Sequence, residues 1–205
     1  MLEVRIKETD LLFETNEKVF SPSGIDRGTL AMLHFVSFDP ADKVLDLGCG
    51  YGAVGILAAK LSGPEQVTMC DISEEAVRLA KKNAEQNGVG TVKIIQSDGF
   101  SNLTESDFTL ILSNPPYHAD FSVPKAFIEQ GYRRLAQGGK LYMVTKRKDW
   151  YKNKLISVFG GVTIEELDGY FVFCAEKRER KAAKKKKENH LSKKLQRKTK
   201  RCQRR

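Results

Sequence analysis

The chain has 205 residues, 40% of them hydrophobic, which suits one globular domain with a tail and gives no sign of a second domain. Its first ten residues are charged and no apolar run reaches the length of a membrane span, which argues against a secretory leader or a transmembrane helix and favours a cytoplasmic protein. The charge is uneven, because residues 177–205 hold sixteen Lys and Arg against two Glu, whereas residues 1–176 have a net charge of −5.

The cysteines show none of the CxxC pairing that is typical of zinc sites. Two of them lie inside the motifs described below rather than in exposed loops. This usage predicts reduced thiols in a cytosolic protein, with neither a disulfide framework nor a bound metal. The four are Cys49, Cys70, Cys174 and Cys202.

Residues 1–26 contain two short alternating pieces, LLFET and KVF, followed by the turn-rich SPSGID. This pattern predicts a small hairpin or an extended arm. A helix is predicted next, from about Arg27 to Val36. Within the arm we expect Phe20 to be a core residue and Asp26 to cap the helix or to form a turn.

The sequence KVLDLGCGYGAVG, residues 43–55, organises the rest of the chain. Its first residues predict a strand buried on both faces of a parallel sheet, and the helical spacing after the turn predicts a strand-turn-helix unit. Gly48, Gly50 and Gly52 lie in the turn, where the lack of Cβ atoms lets a ligand approach the backbone and the helix N-terminus. Such a turn predicts a cofactor but does not by itself identify it.

Two carboxylates narrow the choice of cofactor. A second strand, residues 66–70, ends at Asp71, nineteen residues after Gly52, where a carboxylate can accept both hydroxyls of a ribose. Asp46 precedes the first glycine, where it would repel a pyrophosphate but could help to hold a cationic ligand that bears an amino acid. Together they favour a positively charged nucleoside cofactor over NAD.

A third strand, residues 92–96, ends just before Asp98 and Gly99. Since the carboxyl ends of neighbouring parallel strands meet at one edge of a sheet, these residues should lie beside Asp71. From spacing alone, Asp98 is equally well explained as a helix cap or a loop turn. The helix between the two strands is predicted to begin after Ser73 and to end at Gly88.

The last third of the chain predicts two helices and three strands from its apolar spacing. A DG dipeptide at 168–169 is a strong signal for a two-residue hairpin turn, so the sheet should end in an antiparallel pair. The glycine pair at 138–139 is expected to end the first of these helices. The elements are a helix over 124–135, a strand over 140–144, a helix over 150–159, and strands over 162–167 and 170–175.

The combination of DLGCGYG, Asp71, Asp98 and NPPY resembles the class I S-adenosylmethionine-dependent methyltransferases. The resemblance implies an α/β, Rossmann-like fold with a seven-stranded sheet of order 3-2-1-4-5-7-6, the last strand antiparallel and helices on both faces. It also implies S-adenosylmethionine as cofactor, S-adenosylhomocysteine as product and no metal, with Asp98 accepting from the adenine amino group and FSPSGIDRGT helping to close the pocket. The predicted cofactor-binding residues are Asp46, Gly48, Gly50, Gly52, Asp71, Ile72, Asp98, Gly99 and Asn114.

A fourth strand, residues 108–112, leads directly into NPPYH, residues 114–118, where two successive prolines force the chain out of the sheet. The side-chain carbonyl of Asn114 and the backbone carbonyl of Pro115 could accept both N–H bonds of a planar amino group and so favour the pyramidal nitrogen of a methyl-transfer transition state. Tyr117 offers an aromatic face to a base or an amide. We predict that Asn114, Pro115 and Tyr117 are catalytic and that Pro116, Tyr117 and His118 bind substrate.

NPPYH, with KAFIEQGYRRLAQGGKLYMV and KRKDWYKNKLISVFG, resembles the bacterial ribosomal RNA guanine-N2 methyltransferases of the "methyltransferase small" group, over about residues 20–175. This resemblance implies an RNA partner, a ribosomal RNA or a ribosomal subunit, and leaves monomer or dimer undecided. The predicted domains are an arm over 1–26, a methyltransferase domain over 27–176 and a disordered basic tail over 177–205, which can neutralise phosphates. A membrane partner is not expected.

Three other interpretations stay open. DISEEAVRLAKKNAEQNG and NPPY also resemble the enzymes that methylate a glutamine amide in translation release factors. Adenine N6 would suit the same two carbonyl groups. A non-catalytic RNA-binding or ribosome assembly factor could keep the same scaffold. The basic tail favours nucleic acid over protein, and the intact glycines and carboxylates favour an enzyme.

Overall fold

The computed structural model describes residues 1–116 and 120–179, which form a β-hairpin and a seven-stranded sheet with its helices. The strands are β1 (Leu2–Ile6), β2 (Thr9–Phe13), β3 (Val44–Leu47), β4 (Val67–Asp71), β5 (Lys93–Gln96), β6 (Phe108–Ser113), β7 (Leu135–Thr145), β8 (Thr163–Leu167) and β9 (Tyr170–Glu176). The helices are α1 (Arg27–Phe35), α2 (Ala53–Ser62), α3 (Glu74–Gln86), α4 (Ser122–Arg134) and α5 (Lys148–Phe159), and a 3-10 turn spans Pro64–Gln66.

The strands β3 to β9 form one sheet with the spatial order β5-β4-β3-β6-β7-β9-β8. Counted along the seven strands of this sheet, the order is 3-2-1-4-5-7-6. β9 pairs antiparallel with β7 and β8, and all other neighbours pair in parallel. Asp168 and Gly169 join β8 to β9 with φ values of 52° and 75°, as the DG dipeptide predicted. The predicted fold class and sheet topology are confirmed.

β3 lies at the centre of the sheet, and all four of its residues are buried. Because side chains alternate along a strand, Val44 packs with residues of α1, α2 and α3, whereas Leu45 and Leu47 pack on the opposite face with residues of α4 and α5. Burial on both faces explains the nearly continuous apolar run of this strand. The two helix layers hold β3 rigidly below the turn that follows it.

Two asparagine side chains fix the β1–β2 hairpin to α3. Asn83 accepts from the backbone N–H of Glu14 (2.7 Å) and donates to its carbonyl oxygen (3.0 Å). Asn87 makes the same pair of bonds with Leu12, at 3.0 and 2.7 Å. Both asparagines are buried, and each satisfies the outer edge of β2 as a neighbouring strand would.

The glycine pair at 138–139 lies within β7, so the predicted helix end at these residues is wrong. α4 ends one residue before β7 begins at Leu135, which pairs with Phe108 before a β-bulge. A Cβ atom on Gly139 would lie 2.7 Å from the carbonyl oxygen of Phe108. The glycine therefore permits the close backbone approach at the bulge instead of ending the helix.

Gly52 is expected to tolerate no side chain. It caps α2 with a φ of 102°, and a Cβ atom would lie 2.8 Å from Ile56 Cδ1 and 3.0 Å from Met69 Cε. Gly52→Ala should lower the free energy of unfolding by about 2–5 kcal/mol, since it adds backbone strain to overpacking. Gly161→Ala is the matched control, because a Cβ there meets nothing within 4 Å. Urea unfolding measures both, and equal stability of the two variants would contradict this role.

Candidate active site

A cavity of about 320 Å³ opens at the carboxyl edge of the sheet, at the ends of β3, β4, β5 and β6. The direction of chain progression reverses between β3 and β6, and open α/β sheets bind ligands at such a point. The lining residues come from the four strand ends, from the segment before α1, and from α1, α2 and α4. They are Phe20, Ser21, Ile25, Asp26, Thr29, Asp46, Gly48, Cys49, Gly50, Tyr51, Ala53, Val54, Asp71, Ile72, Asp98, Asn114, Pro115, Pro116, Val123 and Phe127.

The turn after β3 forms one wall of the cavity and is bonded to the end of β4. The backbone N–H groups of Gly48 and Cys49 both donate to the carbonyl oxygen of Cys70, at 2.9 Å. Gly48 and Gly50 have φ values of 80° and 55°, and a Cβ on either would meet nothing within 4 Å. Their role is therefore conformational, and the turn presents bare backbone to the cavity.

Two of the predicted cofactor residues, Gly52 and Gly99, lie outside the cavity lining. Gly52 faces the core, as described above. A Cβ on Gly99 would lie 3.1 Å from a ring carbon of Phe127, so this glycine makes room for α4. Both glycines shape the walls of the cavity, and direct contact of either with the cofactor stays a prediction.

Three of the predicted residues form one end of the cavity. Asp71 accepts from the backbone N–H of Gly50 through Oδ2 and from that of Ser73 through Oδ1, both at 2.9 Å. Each carboxylate oxygen can accept a second bond, so Asp71 can still bind two hydroxyl groups. Ile72 is 65% exposed beside it, and Asp98 is exposed at the end of β5. This end combines an apolar face with two acceptors.

Asp46 lies beneath the turn and is only 3% exposed. Its Oδ2 accepts from the backbone N–H of Gly55 at 2.8 Å, in the first turn of α2. Burial is the main cause that raises its pKa from 3.8 to about 7, and the neighbouring Asp71 raises it further. A cation beside such a buried carboxyl group lowers its pKa and so favours the ionised form.

Asn114 follows β6, and hydrogen bonds fix the orientation of its side-chain amide. Its Nδ2 donates to Asp26 Oδ2 at 2.8 Å and to Thr29 Oγ1 at 2.9 Å. Because a carboxylate can only accept, the amide cannot turn over without placing an oxygen against Asp26. Asn114 Oδ1 is buried and has no donor among the described residues. Such an atom costs about 1–3 kcal/mol until a ligand donates to it.

The segment before α1 lies across the cavity. Asp26 caps α1 by accepting from the backbone N–H of Thr29 at 3.0 Å, as predicted, and it also holds Asn114. Tyr51 donates from its hydroxyl to the carbonyl oxygen of Gly24 at 3.2 Å, which ties the segment to the glycine turn. Phe20 is 53% exposed and lines the cavity, so its prediction as a core residue is wrong.

Several residues that line the cavity were not predicted from the sequence. Thr29 and Tyr51 hold Asn114 and the α1 segment, while Val123 and Phe127 project from α4. Thr29 could have been identified from its position, because it is a polar residue three positions after the predicted helix cap Asp26. The apolar spacing of α4 suggested only a core face for the other two.

The remaining predicted residues follow Asn114 in the chain. Pro115 is buried, Pro116 is exposed, and both line the cavity. Tyr117 and His118 lie outside the described residues, as does the tail from residue 180 onwards.

The cysteines near the cavity are free thiols. Burial raises the pKa of Cys70 to about 12 and that of Cys49 well above its usual range, so both stay protonated. Within residues 1–116 and 120–179, no group of three or more His, Cys, Asp or Glu could hold a metal ion. Over the same residues, no helix is both long enough and apolar enough to span a bilayer.

The sequence matches the protein family described as "Methyltransferase small domain" over residues 10–174. The YbxB protein of Bacillus subtilis (strain 168), whose function is uncharacterised, is 35% identical over 179 residues, which cover 84% of this chain and 89% of that protein. Ribosomal RNA small subunit methyltransferase C of Pseudoalteromonas atlantica is 32% identical over 164 residues, which cover 78% of this chain and 47% of that protein.

A solved structure agrees with these matches. The 16S rRNA N2 methyltransferase RsmC of Thermus thermophilus, in complex with AdoMet and guanosine, superposes with a TM-score of 0.74 and 28% identity. The superposition covers 86% of this chain and 50% of that one. The chain therefore spans about half the length of the two named ribosomal RNA methyltransferases that it matches.

Proposed function

The chain belongs to the methyltransferase small domain family, and from this premise we propose that it transfers a methyl group from S-adenosylmethionine to an exocyclic amino group of ribosomal RNA, namely guanine N2. The observation that carries the proposal is the buried, unpartnered Oδ1 of Asn114, an acceptor held in the wall of the cavity. This oxygen lacks a hydrogen-bond donor, and the N–H group of an amino substrate would supply one.

The described residues fit the cofactor. Asp71 would bind the ribose hydroxyls and Asp98 the adenine amino group, while Ile72 would pack on the base. Asp46 supplies the negative charge that a sulfonium and an amino acid ammonium require, and Gly48 and Gly50 leave the backbone open. When bound, S-adenosylmethionine supplies a methyl group on a positively charged sulfur and needs no metal.

The chain's own contribution to the reaction is to hold and polarise the amino group. Asn114 Oδ1 and the Pro115 carbonyl would each accept one N–H, which favours the pyramidal nitrogen with an available lone pair over the planar ground state. An amide oxygen is not basic, so Asn114 orients the nitrogen and the proton lost after transfer goes to water. Asn114 Oδ1 is shielded from water in this structure, so the cavity wall must give way before an amino group reaches it.

Two observations favour ribosomal RNA as the substrate. The two relatives described above that are named for a substrate are ribosomal RNA methyltransferases, and the solved one was determined with guanosine. Residues 177–205 carry sixteen Lys and Arg against two Glu, a charge suited to neutralising phosphates. A ribosomal substrate also places the protein in the cytoplasm. The target guanine has to be unpaired or drawn out of its stack to reach the cavity.

Asp46 makes binding of the cofactor sensitive to pH. Its pKa of about 7 means that much of this carboxyl group is protonated at pH 6, whereas a cation beside it requires the ionised form. The affinity for S-adenosylmethionine should therefore rise with pH up to about 7 and then level off, with release of a proton on binding at pH 6. Calorimetry in buffers of different ionisation enthalpy measures both effects.

Asp46→Asn is the control for this dependence, because its side-chain oxygen can still accept from the backbone N–H of Gly55. The variant should bind the cofactor more weakly at pH 8 and should release no proton at pH 6. An unchanged pH dependence in Asp46→Asn would assign the titration to another group.

The substrate is tested by incubating the protein with labelled S-adenosylmethionine and undermodified ribosomal subunits, followed by nucleoside analysis. The proposal predicts label in N2-methylguanosine. Label in N6-methyladenosine, or in the glutamine of a release factor offered in parallel, would show that the methyl acceptor is one of these alternatives and not guanine N2. Binding of RNA without binding of the cofactor would point to a non-catalytic factor.

A further inference from the structure

A partly exposed aromatic stack lies next to α4, which contributes to the cavity lining. The rings of Phe121 and Trp150 stack with centroids 4.4 Å apart and an angle of 22° between their planes. Phe121 is 36% exposed and directly precedes α4, whose Val123 lines the cavity. The guanidinium of Arg147 lies 5.1 Å from the centre of the Phe121 ring. We name Phe121, Arg147 and Trp150 the stacking ledge.

The stacking ledge lies in the basic part of the folded domain. Arg147 stands between Lys146 and Lys148 just after β7, and all three side chains are exposed. None of the three forms a salt bridge with another described residue. Residues 121–154 hold nine Lys and Arg against two acidic residues, whereas residues 1–120 have a net charge of −8. The segment that contains the ledge is thus basic within an otherwise acidic domain, and Lys146, Arg147 and Lys148 place three of its cations at the ledge.

Packing between α4 and α5 accounts for only part of this surface, although Trp150 also packs against the core. α5 is already anchored by the buried Tyr151 and Leu155 and by the ion pair between Lys154 and Glu129 of α4. The Phe121 ring nevertheless remains partly exposed beneath the Arg147 guanidinium, two residues before Val123 of the cavity lining. Flat rings and a guanidinium plane suit unstacked bases, and lysines suit phosphates.

We infer that the stacking ledge binds the unpaired RNA strand next to the target nucleotide, with a base stacked on the ledge and phosphates held by Lys146 and Lys148. The inference rests on the proposed function, because a target base drawn into the cavity leaves its neighbours unstacked. The ledge is distinct from the tail, since it offers stacking as well as charge. It therefore discriminates single strands from duplexes, whose bases are covered.

The test uses the full chain and a fluorescent single-stranded RNA of about 12 nucleotides, with the same sequence as a duplex for comparison. Phe121→Leu keeps an apolar side chain but removes the ring, and should weaken binding of the single strand about tenfold without changing its salt dependence. Arg147→Gln should weaken binding and reduce the slope of log affinity against log salt by about one. Duplex binding should change little in Phe121→Leu.

Lys140→Gln is the control for lost charge, because Lys140 is an exposed residue of β7 that does not line the cavity. Thermal unfolding checks that each variant is folded. Single-strand affinity and salt slope equal to wild type in both folded ledge variants would overturn the inference. An equal loss on the duplex would also overturn it, because stacking on open bases would then play no part.

Methyl transfer to ribosomal subunits in the same variants separates this inference from the proposed function. If the ledge variants bind the single strand more weakly but the wild-type protein methylates no RNA, the role of the ledge is supported and the proposed function is refuted. If both variants methylate RNA with an unchanged KM, the proposed function is supported and the role of the ledge is refuted. If the variants instead impair methylation of a release-factor peptide alone, the ledge binds protein and the inference is wrong.

Discussion

Asn114→Ala is expected to lower the rate of methyl transfer by about 10²–10³-fold, the loss found when one preorganised transition-state hydrogen bond is removed. Affinity for S-adenosylmethionine should stay nearly unchanged, because the groups proposed to hold its nucleoside, Asp71 and Asp98, lie at the ends of other strands, β4 and β5. The measurement is single-turnover incorporation of labelled methyl groups into ribosomal subunits, with calorimetry for the cofactor. Turnover at the wild-type rate would refute the role of Asn114.

Two further variants sharpen this test. Asn114→Asp keeps an oxygen at the position of Oδ1 but places its second oxygen against Asp26, so it should also lose most of its activity. Asn102→Ala is the matched control, since the Asn102 amide also donates a hydrogen bond, in this case to the backbone carbonyl oxygen of Gln96 (2.9 Å), but lies outside the cavity lining. Its methyl transfer should match that of the wild type.

Asp26→Ser is expected to lower kcat by about 10–100-fold, the equivalent of the 1.5–3 kcal/mol typical of a hydrogen bond to a charged group. Serine still caps α1, but its shorter side chain cannot reach the Nδ2 of Asn114. Asp26 is thus a positioning residue, and its loss should free the Asn114 amide to turn. KM for RNA should change little.

A double-mutant cycle tests this positioning role. Once Asn114 is alanine, Asp26→Ser should cause no further loss of kcat, because there is no amide left to orient. Thr29→Val should show a smaller version of the same effect, with recovery in Thr29→Ser, which keeps the hydroxyl that accepts from Asn114. Additive losses in the Asn114→Ala background would show that Asp26 acts elsewhere.

The fold could be predicted from the sequence to the level of its sheet topology. The buried run of β3, the glycine turn and the DG hairpin are local signals, and the resemblance supplied the strand order that the structure has. The predicted family and the class of enzyme, an S-adenosylmethionine-dependent methyltransferase, are confirmed by the family match and the relatives. Each of these local signals involves only a few neighbouring residues, so it can be read from the sequence without knowledge of the fold.

The parts that could not be predicted depend on contacts between distant residues. Asn114 and Asp26 are 88 residues apart, and Asn83 holds a hairpin 69 residues away. The motif places Asn114 in a loop, but only the fold brings a carboxylate to its amide. Similarly, Gly52 belongs to the motif yet faces Ile56 and the core, because a sequence gives no direction for a residue without a side chain.

The most direct measurement is a crystal structure of the protein with S-adenosylhomocysteine and guanosine. We predict that the N2 amino group of the guanine donates to Asn114 Oδ1 and the Pro115 carbonyl oxygen, with the thioether sulfur on the open side of the nitrogen. A sulfur that lies on the far side of the cavity, or a guanine held with another edge towards Asn114, would contradict it.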